Sequence, residues 1–171
     1  MPSTLISENI DEIKTFFKKH KEIIIKPING YSGNEVILLK TFNNRIINKY
    51  LKKHNHVIFQ KFLPQISEGD RRVFIINGKT KGSISRVPKK NSILSNMSKG
   101  AIATINKLTG KEIKISKEVA ILLKNNNIYF AGVDFVQGQL IGDINVTSPT
   151  GLATHYHLTG VNLAKFFWDN I

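Results

Sequence analysis

The sequence predicts an α+β fold, and three observations carry the prediction. Apolar residues recur at helical spacing in two N-terminal segments, around Ile10 to Phe17 and Ile46 to Leu51. Two pairs of β-rich runs are separated by two-residue turn signals, Asn77-Gly78 and Gln137-Gly138. A short apolar run, Ile23-Ile24-Ile25, is followed by a glycine-containing loop and a second strand-like run.

Taken in order, Asn9 and Glu12 have the spacing of a capping box and open a helix that ends near His20, with Ile10, Ile13, Phe16 and Phe17 inward. Glu22 to Lys26 reads as a buried strand, Asn29 to Asn34 as a loop, and Val36 to Lys40 as the returning strand. A helix over Asn44 to Lys53 places Ile46, Ile47, Tyr50 and Leu51 inward, and the strand His56 to Lys61 is stopped by Pro64. Arg71 to Ile76 and Lys79 to Val87 form a hairpin about Asn77-Gly78. Pro88 to Lys107 has no period and reads as a mobile loop. Thr109 and Glu112 open a helix running toward Lys124, which Asn125-Asn126-Asn127 ends. A second hairpin follows, then a final helix packed through Leu163, Phe166, Phe167 and Trp168.

Length allows one good core or two small lobes. No apolar run approaches the length of a membrane span, Met1-Pro2-Ser3-Thr4 does not open a signal peptide, and cysteine is absent, so a cytoplasmic protein is expected. The net charge of +13 raises the question of nucleic acid. Its lysines are spread out, however, and the densest groups lie at the C-terminal ends of predicted helices, where cations are favourable; few aromatics are interleaved. A nucleic-acid role is therefore the least favoured reading.

The stretch Phe130 to Thr150 carries the chemistry. With Val136 opposite Gln139, Asp134 faces Ile141, and Asp134, Asp143 and Asn145 point to one side of the hairpin. Three hard oxygen donors among Val, Ile and Phe suit a Mg²⁺–phosphate site. Upstream, Lys26-Pro27 before Gly30 and Gly33 can neutralise phosphate, and Gln60-Lys61-Phe62-Leu63 can present main-chain groups to a base edge. Each of these is weak alone. His54-x-His56 and His155-x-His157 have metal-ligand spacing but lack a supporting acid motif.

In order and spacing these segments resemble the ATP-grasp fold, and within it the bacterial glutathione synthetases: Lys26-Pro27 and its loop, Gln60 to Pro64, Glu68-Gly69-Asp70-Arg71-Arg72-Val73, Ser85-Arg86-Val87-Pro88, Ser95-Asn96-Met97, Gly132-Val133-Asp134, and Asp143 to Gly151. The resemblance implies two small α/β lobes, about 1–64 and 65–171, with the nucleotide cleft between them. It makes Lys26, Gly30, Gly33, Gln60, Lys61, Phe62 and Leu63 the ATP-binding set. Asp134, Asp143 and Asn145 become the Mg²⁺ ligands, with Mn²⁺ an acceptable substitute. Arg72, Arg86 and Asn145 are the implied catalytic residues, and Arg72, Arg86, Asn96, Ser148, Thr150 and Gly151 the implied substrate contacts. The implied substrates are γ-glutamylcysteine and glycine, joined through an acyl phosphate. The chain is expected to be a fragment, an isolated domain or half of a split enzyme whose N-terminal domain lies elsewhere; a homo-oligomer is compatible with the sequence, which does not fix the oligomeric state. Aspartate at 143 replaces the usual glutamate, and the glycine loop is poorer in glycine than the family's. Another ATP-grasp amino-acid ligase and a catalytically silent nucleotide-binding module are the alternatives.

Parity at Asn77-Gly78 makes a sharper expectation. A two-residue turn pairs Ile76 with Lys79 and puts Arg86 on the same face as Arg71, whereas the resemblance needs Arg72. A three-residue loop with left-handed Gly78 as a bulge restores Arg72, and that turn is predicted.

Overall fold

Asn9 caps the first helix: in a computed structural model of the chain, its Oδ1 accepts the N–H groups of Asp11 at 2.9 Å and Glu12 at 3.4 Å. The predicted reciprocal bond is replaced, because Ser7 Oγ donates to Glu12 Oε2 at 2.6 Å and accepts the Asn9 N–H at 3.0 Å. The structure describes all residues except Tyr31, Ser32, Asn55, Asn170 and Ile171, and leaves out the side chains of Gly142 and Asp143. Two units make up the chain, Met1–Pro64 and Gln65–Ile171.

In the first unit, strands β1 (Thr4–Ile6), β2 (Ile23–Pro27), β3 (Ile37–Leu39) and β4 (Val57–Lys61) form an antiparallel sheet in the order β1-β4-β2-β3. Helices α1 (Ile10–His20) and α2 (Asn44–His54) supply Ile13, Ile47 and Tyr50 to a core completed by Ile23, Ile25, Leu39, Val57 and Phe59. Successive strand residues face opposite ways, so β2 gives Ile23 and Ile25 to this core and turns Ile24 and Lys26 away from it. Ile46, expected inside, is 39% exposed; only a narrow stripe of α2 meets the sheet. Both helices end in basic residues, Lys18, Lys19 and His20 in α1 and Lys52, Lys53 and His54 in α2, which complements the helix dipole.

The second unit is a five-stranded antiparallel sheet, ordered β7-β6-β5-β8-β9, from β5 (Asp70–Ile76), β6 (Lys79–Val87), β7 (Ile102–Thr104), β8 (Phe130–Val136) and β9 (Gln139–Asn145). One face packs Val73, Ile75, Ala131, Val133 and Phe135 against Val119, Ala120 and Leu123 of α3 (Gly110–Asn125), which opens with the predicted Thr109–Glu112 capping box. The other face carries Phe74, Ile76 and Ile84 under α4 (Leu152–Thr159) and α5 (Leu163–Trp168). Along that same face, beyond the helices, the register continues into polar residues.

Two sequence expectations do not hold, and two elements carried no expectation. The 88–107 stretch is anchored to the sheet, since Met97–Lys99 forms a turn of 3₁₀ helix and β7 pairs with β6, Ser85 opposite Thr104. Helix α4 was not anticipated, nor was β1. Trp168 does not pack inward: it is 72% exposed, touching Phe167 edge-on, while Phe166 and Phe167 join the core. Among the described residues no helix is long and apolar enough to cross a membrane.

Candidate active site

Which arginine reaches the polar end of the sheet is decided by one inserted residue. Ile76 pairs with Lys79 and Ile75 with Thr80, the pattern of a two-residue turn, and both Asn77 (φ 48°) and Gly78 (φ 67°) are left-handed, as the favoured hairpin turn requires. The predicted three-residue loop is therefore wrong. Beyond it Phe74 pairs with Gly82, leaving Lys81 as a bulge, and the remaining pairs run from Val73–Ser83 to Asp70–Arg86. A bulge shifts the parity of a strand by one. Arg72 and Arg86 thus share a face, as the resemblance requires, but through a bulge at Lys81 inside the strand and not through one at Gly78 in the turn. Lys81 Nζ lies 3.7 Å over the Phe166 ring, so the extra residue packs onto α5.

The second hairpin needs a similar adjustment. Val136–Gln139 and Phe135–Leu140 pair as predicted, but Val133 then faces Ile144 and Gly132 faces Asn145. This two-residue shift preserves parity, so the register sets Asn145 on the Asp134 face. Asn145 closes a turn with Ser148, whose N–H donates to its Oδ1 at 3.0 Å. Asp143 belongs to β9 by position, and its predicted metal role falls on a side chain outside those described.

Four charged side chains from β5, β6 and β8 meet on this face. Arg72 donates from Nε to Asp134 Oδ1 at 2.8 Å and from Nη2 to Oδ2 at 2.7 Å, and its Nη1 reaches Thr150 O and Oγ1, both at 3.2 Å. Arg86 Nη2 lies 2.9 Å from Asp134 Oδ2 and also donates to Asp70 Oδ2, while its Nε donates to Asp70 Oδ1 at 2.8 Å. Ser95 Oγ donates to Asp70 Oδ2 at 2.6 Å. Asp70, Arg72, Arg86 and Asp134 are all buried, so the two guanidiniums and two carboxylates neutralise one another where water cannot. Gly132 makes room: a Cβ there would sit 3.1 Å from Pro149 Cβ and 3.4 Å from Arg72 Cδ and Nε.

Burial raises each carboxyl, but the partners differ. At Asp134 the bonds and charges of Arg72 and Arg86 outweigh burial and hold the group below the ordinary carboxylate range. Asp70, with Arg86 and Ser95 only and with Asp134 nearby, stays raised. Burial works against the charged form of Arg86, yet the two carboxylates push its pKa upward. Asp70 and Ser95 were not among the predicted site residues; Asp70 sits in the quoted Glu68-Gly69-Asp70 segment, but no sequence pattern joins it to a serine 25 positions on. Asn96 is only Ser95's neighbour, and its carbonyl is used within the loop by Lys99 N–H. Gly151, at φ 112°, starts α4, and a Cβ there would lie 3.1 Å from Phe74 Cζ.

In the first unit, Lys26 pairs across the sheet with Ile58, and Gln60 with Ile24. Lys26 and Gln60 consequently share the face turned away from α1 and α2. Gln60 Nε2 donates to Thr4 Oγ1 at 2.9 Å. The Lys61 and Phe62 N–H groups are committed to Ser3 O and Glu22 O. Gly30 turns against Pro27, and Gly33 is left-handed at φ 67°. A groove of roughly 250 Å³ opens beside this loop, lined by residues including Gly30, Asn34, Glu35 and Lys53. Of the histidine pairs, His54 Nε2 is 3.2 Å from Glu35 Oε2, His56 Nδ1 is 3.1 Å from Glu8 Oε1, His155 is buried against Val161 O, and His157 is exposed. Among the described residues no three His, Asp or Glu side chains converge.

This fold is that of the ATP-grasp ligases. The ligase PsnB, solved with a phosphomimetic variant of its minimal precursor, Mg and ADP, superposes with a TM-score of 0.70 at 15% identity, over 99% of this chain and 51% of that one. A D-alanine–D-alanine ligase from Bacillus anthracis, solved with ATP, gives a TM-score of 0.66 at 16% identity, over 99% and 59%. Sequence comparison is more particular: residues 1–160 match the prokaryotic glutathione synthetase ATP-grasp domain, and the chain belongs to that family. It is 34% identical over 175 residues to the glutathione synthetase of Bradyrhizobium diazoefficiens and 33% identical over 176 residues to that of Buchnera aphidicola. All of this chain is covered in both, but only 55% and 54% of the relatives, so the chain spans about half their length.

Proposed function

We propose that the chain is the ATP- and Mg²⁺-binding portion of a carboxylate–amine ligase of the glutathione synthetase type, acting on γ-glutamylcysteine and glycine. The observation that carries this reading is the buried Arg72–Asp134–Arg86–Asp70 network, reached by Thr150 of the Thr147 to Gly151 run, in a chain of this family. The donor set suits a hard divalent ion. Asp134 Oδ1 and Asn145 Oδ1 each accept one bond given above, leaving a second lone pair on each oxygen. Asp134 and Asn145, with Asp143, are the residues we assign to Mg²⁺, and Mn²⁺ would serve in its place. The ion's contribution is to neutralise charge on the phosphates of ATP.

The remaining chemistry falls to the chain's own groups. Lys26 supplies a point charge to phosphate, Gly30 and Gly33 allow backbone approach, and Gln60, Lys61, Phe62 and Leu63 receive the base, with Leu63 N–H as donor to its edge. An oxygen of the substrate carboxylate attacks the γ-phosphorus, the bond to the bridging oxygen of ADP breaks, and an acyl phosphate forms. Arg72 and Arg86 hold the acyl group and stabilise its developing charge. The glycine amine then attacks the acyl carbon, phosphate leaves, and the amine proton is lost as the amide forms. Ser148, Thr150 and Gly151, with Asn96, line the substrate, and a second domain corresponding to the remainder of the relatives is the partner we infer for full turnover.

Calorimetric titration of the chain with ATP tests the reading. Binding that requires Mg²⁺, tolerates moderate salt and is weakened by Lys26→Met and by Asp143→Asn is the expected result. An absence of nucleotide binding would sink it, and nucleotide binding indifferent to Mg²⁺ would favour a catalytically silent nucleotide-binding module. Tight, steeply salt-sensitive binding of random duplex in its place would favour a nucleic-acid role.

A further inference from the structure

Glu112 lies on the far side of the second sheet from the candidate site and is completely buried. Its Oε2 accepts the Thr109 N–H at 2.7 Å and the Thr109 hydroxyl at 3.0 Å, and Thr109 Oγ1 accepts the Glu112 N–H at 3.2 Å. A capping box asks no more than that of a glutamate. The second oxygen does something else. Oε1 accepts Arg71 Nη1 at 2.7 Å and the Gly138 N–H at 3.1 Å.

One carboxylate therefore joins the start of α3, strand β5 and the turn between β8 and β9. That turn is formed by Gln137 (φ 44°) and Gly138 (φ 71°), and it joins β8 directly to β9, starting their ladder at the Val136–Gln139 pair. Strand β9 carries Asn145 and the Asp143 position, and β8 carries Asp134. Consecutive residues of β5 point to opposite faces, so Arg71 reaches Glu112 while Arg72 reaches Asp134. A buried carboxylate is costly unless every oxygen is satisfied, and here the satisfying groups come from three separate elements.

We propose that Glu112 is a positioning residue for the metal side of the candidate site: by pinning Gly138 to α3 and β5 it fixes where β9 runs alongside the Asp134 strand. The inference rests on the Mg²⁺–ATP reading given above. A purely structural cap would stabilise α3 without affecting metal affinity.

The experiment compares wild type, E112Q, E112D and T109A. Aspartate at this position still favours the helix start but stops short of Gly138, which provides a variant that folds even where E112Q does not. Measured by calorimetry, the Mg²⁺ concentration needed for half-maximal ATP binding should rise about tenfold in E112Q and E112D, as for loss of an outer support of a metal site. Affinity for ATP without metal should stay within about twofold, because Glu112, Arg71 and Gly138 belong to the second unit while Lys26 and Gln60 belong to the first. Amide exchange at Gly138 should accelerate in both variants. T109A, which keeps both Oε1 bonds, should lower the melting temperature and leave the Mg²⁺ requirement unchanged. A folded E112D with the wild-type requirement, or a T109A that shifts it as far as E112D, would overturn the inference while leaving the functional reading intact. Wild-type protein that ignores Mg²⁺ altogether would overturn both.

Discussion

Arg72 grips Asp134 side-on, Nε to Oδ1 at 2.8 Å and Nη2 to Oδ2 at 2.7 Å, and Arg86 Nη2 closes on the same Oδ2 at 2.9 Å. One carboxylate is shared by two buried guanidiniums, and the second guanidinium is shared by two carboxylates.

Removing Arg86 should therefore leave both Asp70 and Asp134 short of a partner. Breaking a buried pair typically costs about 3–5 kcal/mol, and Arg86→Met is expected at the upper end of that range in denaturant unfolding. Arg71→Met, which takes one bond from Glu112 at a side chain 31% exposed, should cost roughly 1–2 kcal/mol. Equal losses for the two would contradict the network as drawn.

Acid should weaken the fold through Glu112. Burial tends to raise this group, but the Thr109 N–H and hydroxyl together with Arg71 hold it below its ordinary value of 4.5. A depressed folded pKa contributes stability that is present above the unfolded value and lost as pH falls through the folded one. The stability gap between wild type and E112Q should accordingly be full at neutral pH and narrow steadily below about pH 4.5. A gap independent of pH would show that charge plays no part in it.

Alkali acts through Tyr50, whose hydroxyl donates to Glu35 O and whose burial raises its pKa to about 12. Here the folded value lies above the unfolded one, so the native state holds the proton that the unfolded chain releases. Stability should fall between pH 10 and about 12 in wild type and stay flatter in Tyr50→Phe over the same window. Parallel profiles for the two proteins would count against it.

The helices announce themselves in the sequence because their signals are local. Asn9, Thr109 and the periodic isoleucines act within a turn or two of themselves, and both two-residue turns are written in Asn-Gly and Gln-Gly. What stays hidden is long-range or too short. Three-residue strands such as β1 and β7 have no period to detect, and Asp70 finds Ser95 only through the folded sheet. The bulge is an intermediate case. Gly82 stands alone inside a strand, a known sign of a bulge or a close approach, and both are present: Lys81 is the extra residue, and a Cβ on Gly82 would lie 2.4 Å from His155 Nε2.

That approach gives a further expectation. Gly82→Ala must displace the buried His155, which is held by Val161 O and stacked edge-on against Phe74. A loss of about 1–3 kcal/mol, the usual cost of overpacking, should appear in thermal unfolding, and His155→Ala in the same chain should recover part of it. No recovery would place the strain elsewhere.

The bulge at Lys81 also makes strand length a form of chemical information. Deleting Lys81 would change no residue of the Arg72, Arg86, Asp70 and Asp134 network, yet it would rotate Arg86 to the α3 face and swing Ser85 and Val87 into its place. One missing residue would thus act as two distant substitutions, and no point mutation at position 86 could repair it. Inserting a single alanine between Gly82 and Ser83 could, because it restores phase rather than identity. For this hairpin, then, the count of residues between the Asn77-Gly78 turn and Arg86 is as much a determinant of the site as the arginine.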